Sequence, residues 1–204
     1  MKEKIKRGYR ITKYVVYKET LLDRVEHFWS FVGAFVGIGL IAYMQENVGL
    51  ASDRLFLIGS FGASSVLVYG AIQSPLAQPR NLVGGHVLSA LLGVTVHLLL
   101  PQPIWLAAPL AVGLSIVIMQ ATKTLHPPGG ATALVAVIGS ERVTDMGYWF
   151  VLSPVLTGVS VLLAVALVFN NITSKRKYPT DGRFSRTIQW AVSPTKKMVR
   201  RLKS

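Results

Sequence analysis

Apolar residues gather into six runs, at 28–45, 55–72, 86–100, 104–121, 126–139 and 148–169, separated by short polar or proline-bearing breaks. Upstream of the first run, Tyr14, Tyr17, Leu21, Val25 and Phe28 recur at helical spacing, with Lys13, Lys18, Asp23 and Arg24 elsewhere. That pattern predicts an amphipathic helix lying on a membrane surface before the first span. Within 28–45, Gly33 and Gly37 form a G-x-x-x-G step that permits close helix packing.

Two of the runs are interrupted. The run 55–72 contains Gly59-Ser60-Phe61-Gly62-Ala63-Ser64-Ser65, which is poor in helix formers and predicts a break. The stretch 124–139 reads TLHPPGGATALVAVIG. Proline disfavours the α conformation in the residue before it, so His126 and Pro127 are expected to be extended. Proline suits the first helical position, so a helix is expected to begin at Pro127 or Pro128. The first free N–H groups would then belong to Gly129, Gly130 and Ala131, at the positive end of the helix dipole. From His126 this apolar run lasts 14 residues. That is about 21 Å of helix, short of the roughly 20 residues that a 30 Å hydrocarbon core requires. A half-helix starting inside the membrane is the expectation. Between these segments lie a predicted loop at 73–85 and helices over 86–100 and 104–121. A polar loop at 140–147 follows, then a last helix at 148–169 that Pro154 is expected to kink.

The two interrupted segments resemble each other. Gly62-Ala63-Ser64-Ser65-Val66-Leu67-Val68 parallels Gly130-Ala131-Thr132-Ala133-Leu134-Val135-Ala136, and Val87-Leu88-Ser89 parallels Val151-Leu152-Ser153. The expected fold is therefore an all-α polytopic membrane protein of two pseudo-symmetric repeats, at about 28–100 and 103–171, each with a broken or half helix. If both broken segments cross, there are six membrane segments and the halves are inverted. The alternative is four full spans plus two re-entrant half-helices.

Composition supports a membrane protein: the 204 residues are 51% hydrophobic, with a mean hydropathy of +0.45. There is no cysteine, which removes disulfides, thiol catalysis and Cys-ligated zinc. No cleavable signal peptide is expected, because the first apolar run is long and has no small-residue cleavage site behind it. The net charge of +13 resides in the ends. Residues 1–26 hold eight Lys/Arg against four acids and residues 172–204 hold ten against one, whereas the section between is neutral. Basic tails around a membrane core read as positive-inside determinants that meet anionic lipid headgroups rather than nucleic acid. The chain divides into a basic N-terminal segment 1–27, a membrane domain 28–171 and a basic tail 172–204. Both tails, with Arg80 and Lys123, are expected on the cytoplasmic side of a prokaryotic plasma membrane.

The block Leu125-His126-Pro127-Pro128-Gly129-Gly130-Ala131-Thr132-Ala133 resembles the signature of the HPP family of integral membrane proteins. The preceding Pro75-Leu76-Ala77-Gln78-Pro79-Arg80-Asn81, followed by Gly85-His86, is similar to that family's second block. The resemblance implies a membrane domain over roughly 28–170, and some family members are implicated in nitrite transport. Some relatives carry a C-terminal pair of CBS domains, which is not expected here, nor is regulation by bound nucleotide.

These residues suggest how a small anion is held. Broken helices whose N-termini meet near the midplane are a recurrent transporter site. The expected substrate-binding set is His126, Pro127, Pro128, Gly129, Gly130, Ala131 and Thr132 from one segment, with Ser60, Gly62, Ala63 and Ser64 from the other. Arg80, Lys123 and His86 are assigned to anion entry or gating. Two helix ends with three or four hydrogen bonds give about −4 kcal/mol, a millimolar affinity. A metal site is not expected. His86 and His97 stand on one helix face about 16 Å apart, and every acid lies in a loop or tail. No cofactor is expected. An intramembrane enzyme is disfavoured by the absence of acid/base pairs, of cysteine and of a serine beside a plausible base; a sensor or scaffold working through the basic tails is the other rival. Expected partners are a small inorganic anion and anionic lipid, with self-association into a homo-oligomer left open. A transporter of this kind is expected to turn Ser64, Ser65, Thr132, Ser153 and Thr157 toward one central cavity.

Overall fold

Two closely spaced prolines and a run of glycines set where the chain turns inside the bundle. The computed structural model describes residues 24–47, 59–173 and 176–181, and among them there is no strand. Most of the surface helix expected upstream and the tail beyond 181 lie outside the described residues, while Arg24, Val25 and Phe28 of that pattern belong to the first described helix. The chain forms α1 (Arg24–Asn47) and α2 (Gly59–Ser65), which widens into a π-helical turn at Val66–Gly70. A short 3-10 turn, Pro75–Ala77, leads into α3 (Pro79–Leu99). Then come α4 (Ile104–Ala121), α5 (Pro127–Ile138), the short α6 (Glu141–Asp145) and α7 (Thr157–Phe169). Among the described residues, four stretches are long and apolar enough to cross a membrane: Arg24–Asn47, Pro79–Leu99, Ile104–Ala121 and Val151–Phe169. Large apolar side chains on the outer faces, such as Phe31, Phe35, Trp105 and Val117, are more than 60% exposed, as lipid-facing residues are.

Helix α3 starts seven residues before the sequence reading puts it. Residues 79–85 are helical, entered through Pro79 at the first position with Gln78 extended at φ −69°, ψ 154°. Gly84 and Gly85 read as loop residues in the sequence, yet they serve close approach. A Cβ at Gly84 would stand 2.6 Å from the Thr124 side chain, and one at Gly85 would stand 2.5 Å from Cβ of His126. The extended segment before α5 therefore lies directly on the first turns of α3. Farther along, a Cβ at Gly93 would meet the Ala133 carbonyl at 2.6 Å and Ala136 at 2.8 Å. The contacts 85 to 126 and 93 to 133–136 advance together, so α5 runs parallel to α3 and begins one-third of the way along it.

As expected, Pro127 opens α5, with His126 extended at φ −140°, ψ 103°. Pro154 breaks the helix before α7, leaving Ser153 at φ −141°, ψ 117°. Helix α4 closes on Lys123 at φ 57°, a left-handed cap more often given to glycine, with the Thr124 N–H returning to the Met119 carbonyl at 2.8 Å.

The G-x-x-x-G step on α1 accommodates a side chain. Gly33 and Gly37 lie under the ring of Tyr69, whose hydroxyl donates to the Leu162 carbonyl of α7 at 3.0 Å. Gly158 on α7 gives the same kind of room to Phe61. Residues after α7 are also part of the packing, although the sequence reading draws the domain edge at 171. Arg176 is 1% exposed and Tyr178 is fully buried. The Arg176 guanidinium meets Glu26 at 2.9 Å, the Tyr69 carbonyl at 2.8 Å and Asn170 Oδ1 at 2.7 Å. Burial pulls that guanidinium below its ordinary value, and the Glu26 carboxylate opposes the shift. The Tyr178 hydroxyl donates to the Ala77 carbonyl at 2.7 Å. Composition alone marks this stretch as solvated tail, because its Lys and Arg outweigh its apolar residues.

Candidate functional site

The polar residues of the broken segments meet where α2 and α5 pass each other in opposite directions. Ser60, in the first described turn of α2, has its Oγ 2.9 Å from Oγ1 of Thr132, in the second turn of α5. One turn further along α2, Ser64 Oγ lies 2.7 Å from Nε2 of His86 on α3 and 2.9 Å from Nε2 of His126, so a serine does stand beside imidazole bases, contrary to the sequence reading, because α2, α3 and the lead into α5 converge here. The other nitrogens are also bonded. His86 Nδ1 is 2.7 Å from Thr132 Oγ1, and His126 Nδ1 is 2.8 Å from the Leu76 carbonyl. A carbonyl only accepts, so Nδ1 of His126 carries a hydrogen. Phe61 closes one side, its ring set edge-on to His86 at 5.5 Å.

Ser64, His86, His126 and Thr132 are fully buried, and Ser60 is 1% exposed. Each polar group left unbonded in such a place costs about 1–3 kcal/mol. The mutual bonds at 2.7–2.9 Å meet that demand and leave no gap between the partners. Among the described residues, no group of three or more His, Cys, Asp or Glu side chains is placed to hold a metal ion.

Five of the residues singled out in the sequence are thus in one cluster: Ser60, Ser64, His86, His126 and Thr132. The others are elsewhere. Gly62 and Ala63 are exposed on the outer side of α2. Pro127, Gly130 and Ala131 face a groove of about 570 Å³ between α4 and α5, lined also by Val112, Ile116 and Leu134. Pro128 and Gly129 are buried, with Gly129 pressed against the Gly85 carbonyl and Ser89 Oγ, each 2.8 Å from where its Cβ would be. One of the backbone donors expected at the start of α5 is spent. Pro127 and Pro128 have no N–H, and the Gly129 N–H bonds the His126 carbonyl at 2.8 Å. Arg80 is exposed, donating to the Thr122 carbonyl, and Lys123 is exposed at the same end. Ser65 bonds the Phe61 carbonyl of its own helix and Thr157 the Pro154 carbonyl in the turn before α7, and neither joins the cluster. The sequence reading gives His86 only an entry or gating role. Its central place depends on Gly84 and Gly85 being helical.

The model of the HPP transmembrane region matches residues 19–179. The chain belongs to the HPP family. That span reaches past the sequence-drawn edge at 171 and takes in Arg176 and Tyr178. Two transmembrane proteins of Dictyostelium discoideum are each 44% identical to it over 160 residues, 77% of this chain. The alignments cover 51% and 56% of those relatives, so the chain spans about half their length. No solved structure matches. As an HPP protein with four membrane-length apolar helices among the described residues, the chain is an integral membrane protein.

Proposed function

We propose that this HPP protein carries a small monovalent anion across its membrane, with nitrite the first candidate, and is not an enzyme. The observation that carries the reading is the buried cluster of two histidines, two serines and a threonine where α2 crosses α5. Ionisable side chains inside a membrane domain are costly and mark pathways. Transporters build such sites where half-helices begin near the midplane. The resemblance to a family with members implicated in nitrite transport supplies the candidate ion.

In this reading the architecture is an inverted repeat of six crossings. The three extended residues 124–126 add about 10 Å to the roughly 18 Å of α5, which together match the hydrocarbon thickness. Arg80 and Lys123 share the cytoplasmic end with both basic tails, which contact anionic lipid of a prokaryotic plasma membrane. The ion is held by imidazole N–H and hydroxyl donors at the positive end of α5, not by the N–H group of Gly129, which bonds His126. Because the five side chains bond one another directly, the described state is closed. Entry requires α2 and α5 to part.

That closure also favours a second reading, a polar clamp that fixes two broken helices in register. Purified protein in proteoliposomes, tested for uptake of nitrite, nitrate, formate and chloride, separates the two. Saturable uptake that His86→Ala removes, in protein that still inserts, supports transport. Absence of uptake for every anion, with a lowered Tm for His86→Ala, leaves the clamp.

A further inference from the structure

The cluster has an order that a clamp does not need. From Ser60 Oγ the bonds run to Thr132 Oγ1, His86 Nδ1, across the ring to His86 Nε2, then Ser64 Oγ, His126 Nε2, and across that ring to Nδ1 and the Leu76 carbonyl. Every intermediate member both gives and takes a hydrogen, the hydroxyls by rotating and the imidazoles by exchanging nitrogens. The run is also directional. His126 packs on Gly85, six residues into α3 and so about 9 Å from its start; Ser60 is one α2 turn deeper than Ser64, near the middle of the bilayer. At the other end Leu76 belongs to the connecting loop before α3. We propose that Ser60, Thr132, His86, Ser64 and His126 form a proton relay from the membrane interior to His126, whose Nδ1–H faces the loop at Leu76, and that one proton accompanies each anion.

The hydrogens balance. With both imidazoles neutral and the Thr132 hydroxyl rotated from Ser60 to His86 Nδ1, His86 Nε2–H donates to Ser64, and Ser64 donates to His126 Nε2. A proton arriving from Ser60 bonds to Thr132 Oγ1, and the old Thr132 O–H breaks as an N–H forms at His86 Nδ1. The His86 Nε2–H breaks as a new O–H forms at Ser64, whose former hydrogen passes to His126 Nε2. Ser60 regains its hydrogen from the incoming hydronium ion, which leaves as water. One proton has entered, the charge is on His126, and His86 is neutral in its other tautomer. Thr132 is left donating to Ser60. The Ser60 carbonyl, 2.9 Å from Ser64 Oγ, holds the serine hydrogen when neither imidazole takes it.

No other charge competes for that proton among the described residues. On α3, Arg80 turns to the Thr122 carbonyl, and His97 lies about three turns beyond His86. On α2, Tyr69 donates to Leu162. On α1, Glu26 pairs with Arg176. Residues 127–138 of α5 and 157–169 of α7 contain no titratable side chain. The imidazoles of His86 and His126 have ring centres 5.0 Å apart. A proton on His126 next to the start of α5 neutralises a monovalent anion there, so the pair moves without net charge. Only this coupling rests on the transport reading; the relay does not.

Nitrogen-15 spectra of histidine-labelled protein in nanodiscs test the relay directly. As pH falls, protonation of His126 and transfer of the His86 hydrogen from Nε2 to Nδ1 are expected at one midpoint, and Ser64→Ala is expected to separate them. If His86 in the wild type keeps one tautomer while His126 titrates, the relay is overturned; the wild-type result decides even if Ser64→Ala does not fold. For coupling, a one-unit inward acid gradient in proteoliposomes is expected to give about tenfold anion accumulation, unchanged when potassium and valinomycin clamp the potential. Accumulation that follows the potential and ignores the pH gradient overturns the coupling and leaves anion transport standing. No flux of any anion sinks the transport reading and the coupling together, while the tautomer result still decides the relay.

Discussion

The rings of His86 and His126 lie 5.0 Å apart at 56° to one another and share the hydroxyl of Ser64. One ring comes from a continuous helix and the other from the extended residue that precedes a half-helix. Their meeting depends on two glycines that let one backbone lie on the other.

Neighbouring glycines at the start of α5 are expected to behave oppositely. Gly129→Ala drives a methyl into the Gly85 carbonyl at 2.8 Å, so it should lower Tm and, if the site transports, reduce uptake at least tenfold. At Gly130 the nearest atom to an added Cβ is Val112 Cγ1, 3.8 Å away, and the groove beyond has room. Gly130→Leu should insert and take up anion at close to the wild-type rate. Uptake assays with matched protein incorporation check both, and loss of uptake in Gly130→Leu would return the α5 backbone to the site.

Packing of α5 on α3 sets the next expectation. Gly93→Ala meets backbone and methyl atoms of Ala133 and Ala136 within 3 Å, a clash costing about 1–3 kcal/mol. Gly113→Ala, with nothing within 4 Å, should be neutral within about 0.5 kcal/mol. Thermal unfolding in one detergent compares them. Equal Tm values would mean that the two helices do not approach so closely.

Arg176 ties the segment after α7 to α1 and α2. Arg176→Met leaves Glu26 without its ion-pair partner and the Tyr69 carbonyl and Asn170 Oδ1 without a donor, costing about 3–5 kcal/mol. Tyr178→Phe removes one hydrogen bond to Ala77 and should cost about 1–2 kcal/mol. Denaturation midpoints measure both. An unaltered midpoint for Arg176→Met would mean that the segment is a dispensable tail.

Topology can be read by single-cysteine labelling, since the native chain has no cysteine. Cysteines at 80 and 123 should react only from the cytoplasmic side, and a cysteine at 141, beyond α5, only from outside intact cells. Labelling of 80 and 141 from the same side would rule out α5 with its extended lead as a crossing.

The sequence by itself determined the apolar runs, the half-helix opening at Pro127 and the break at Pro154. These are local: hydropathy decides which segments leave water, and proline fixes the conformation of its neighbours. It also marked Ser60, Ser64, Thr132 and His126 as unusual, because polar groups in apolar runs need partners. Who those partners are was decided only by tertiary structure. His86 enters the cluster because Gly84 and Gly85 are helical and small, which local propensity reads as a loop. Gly130 turns to the groove while Gly129 is buried, although the two are adjacent and identical, because neighbouring helical positions face about 100° apart and only packing selects the face. Arg176 is buried because Glu26, Tyr69 and Asn170 converge on it from three separate parts of the chain, a convergence no local pattern records.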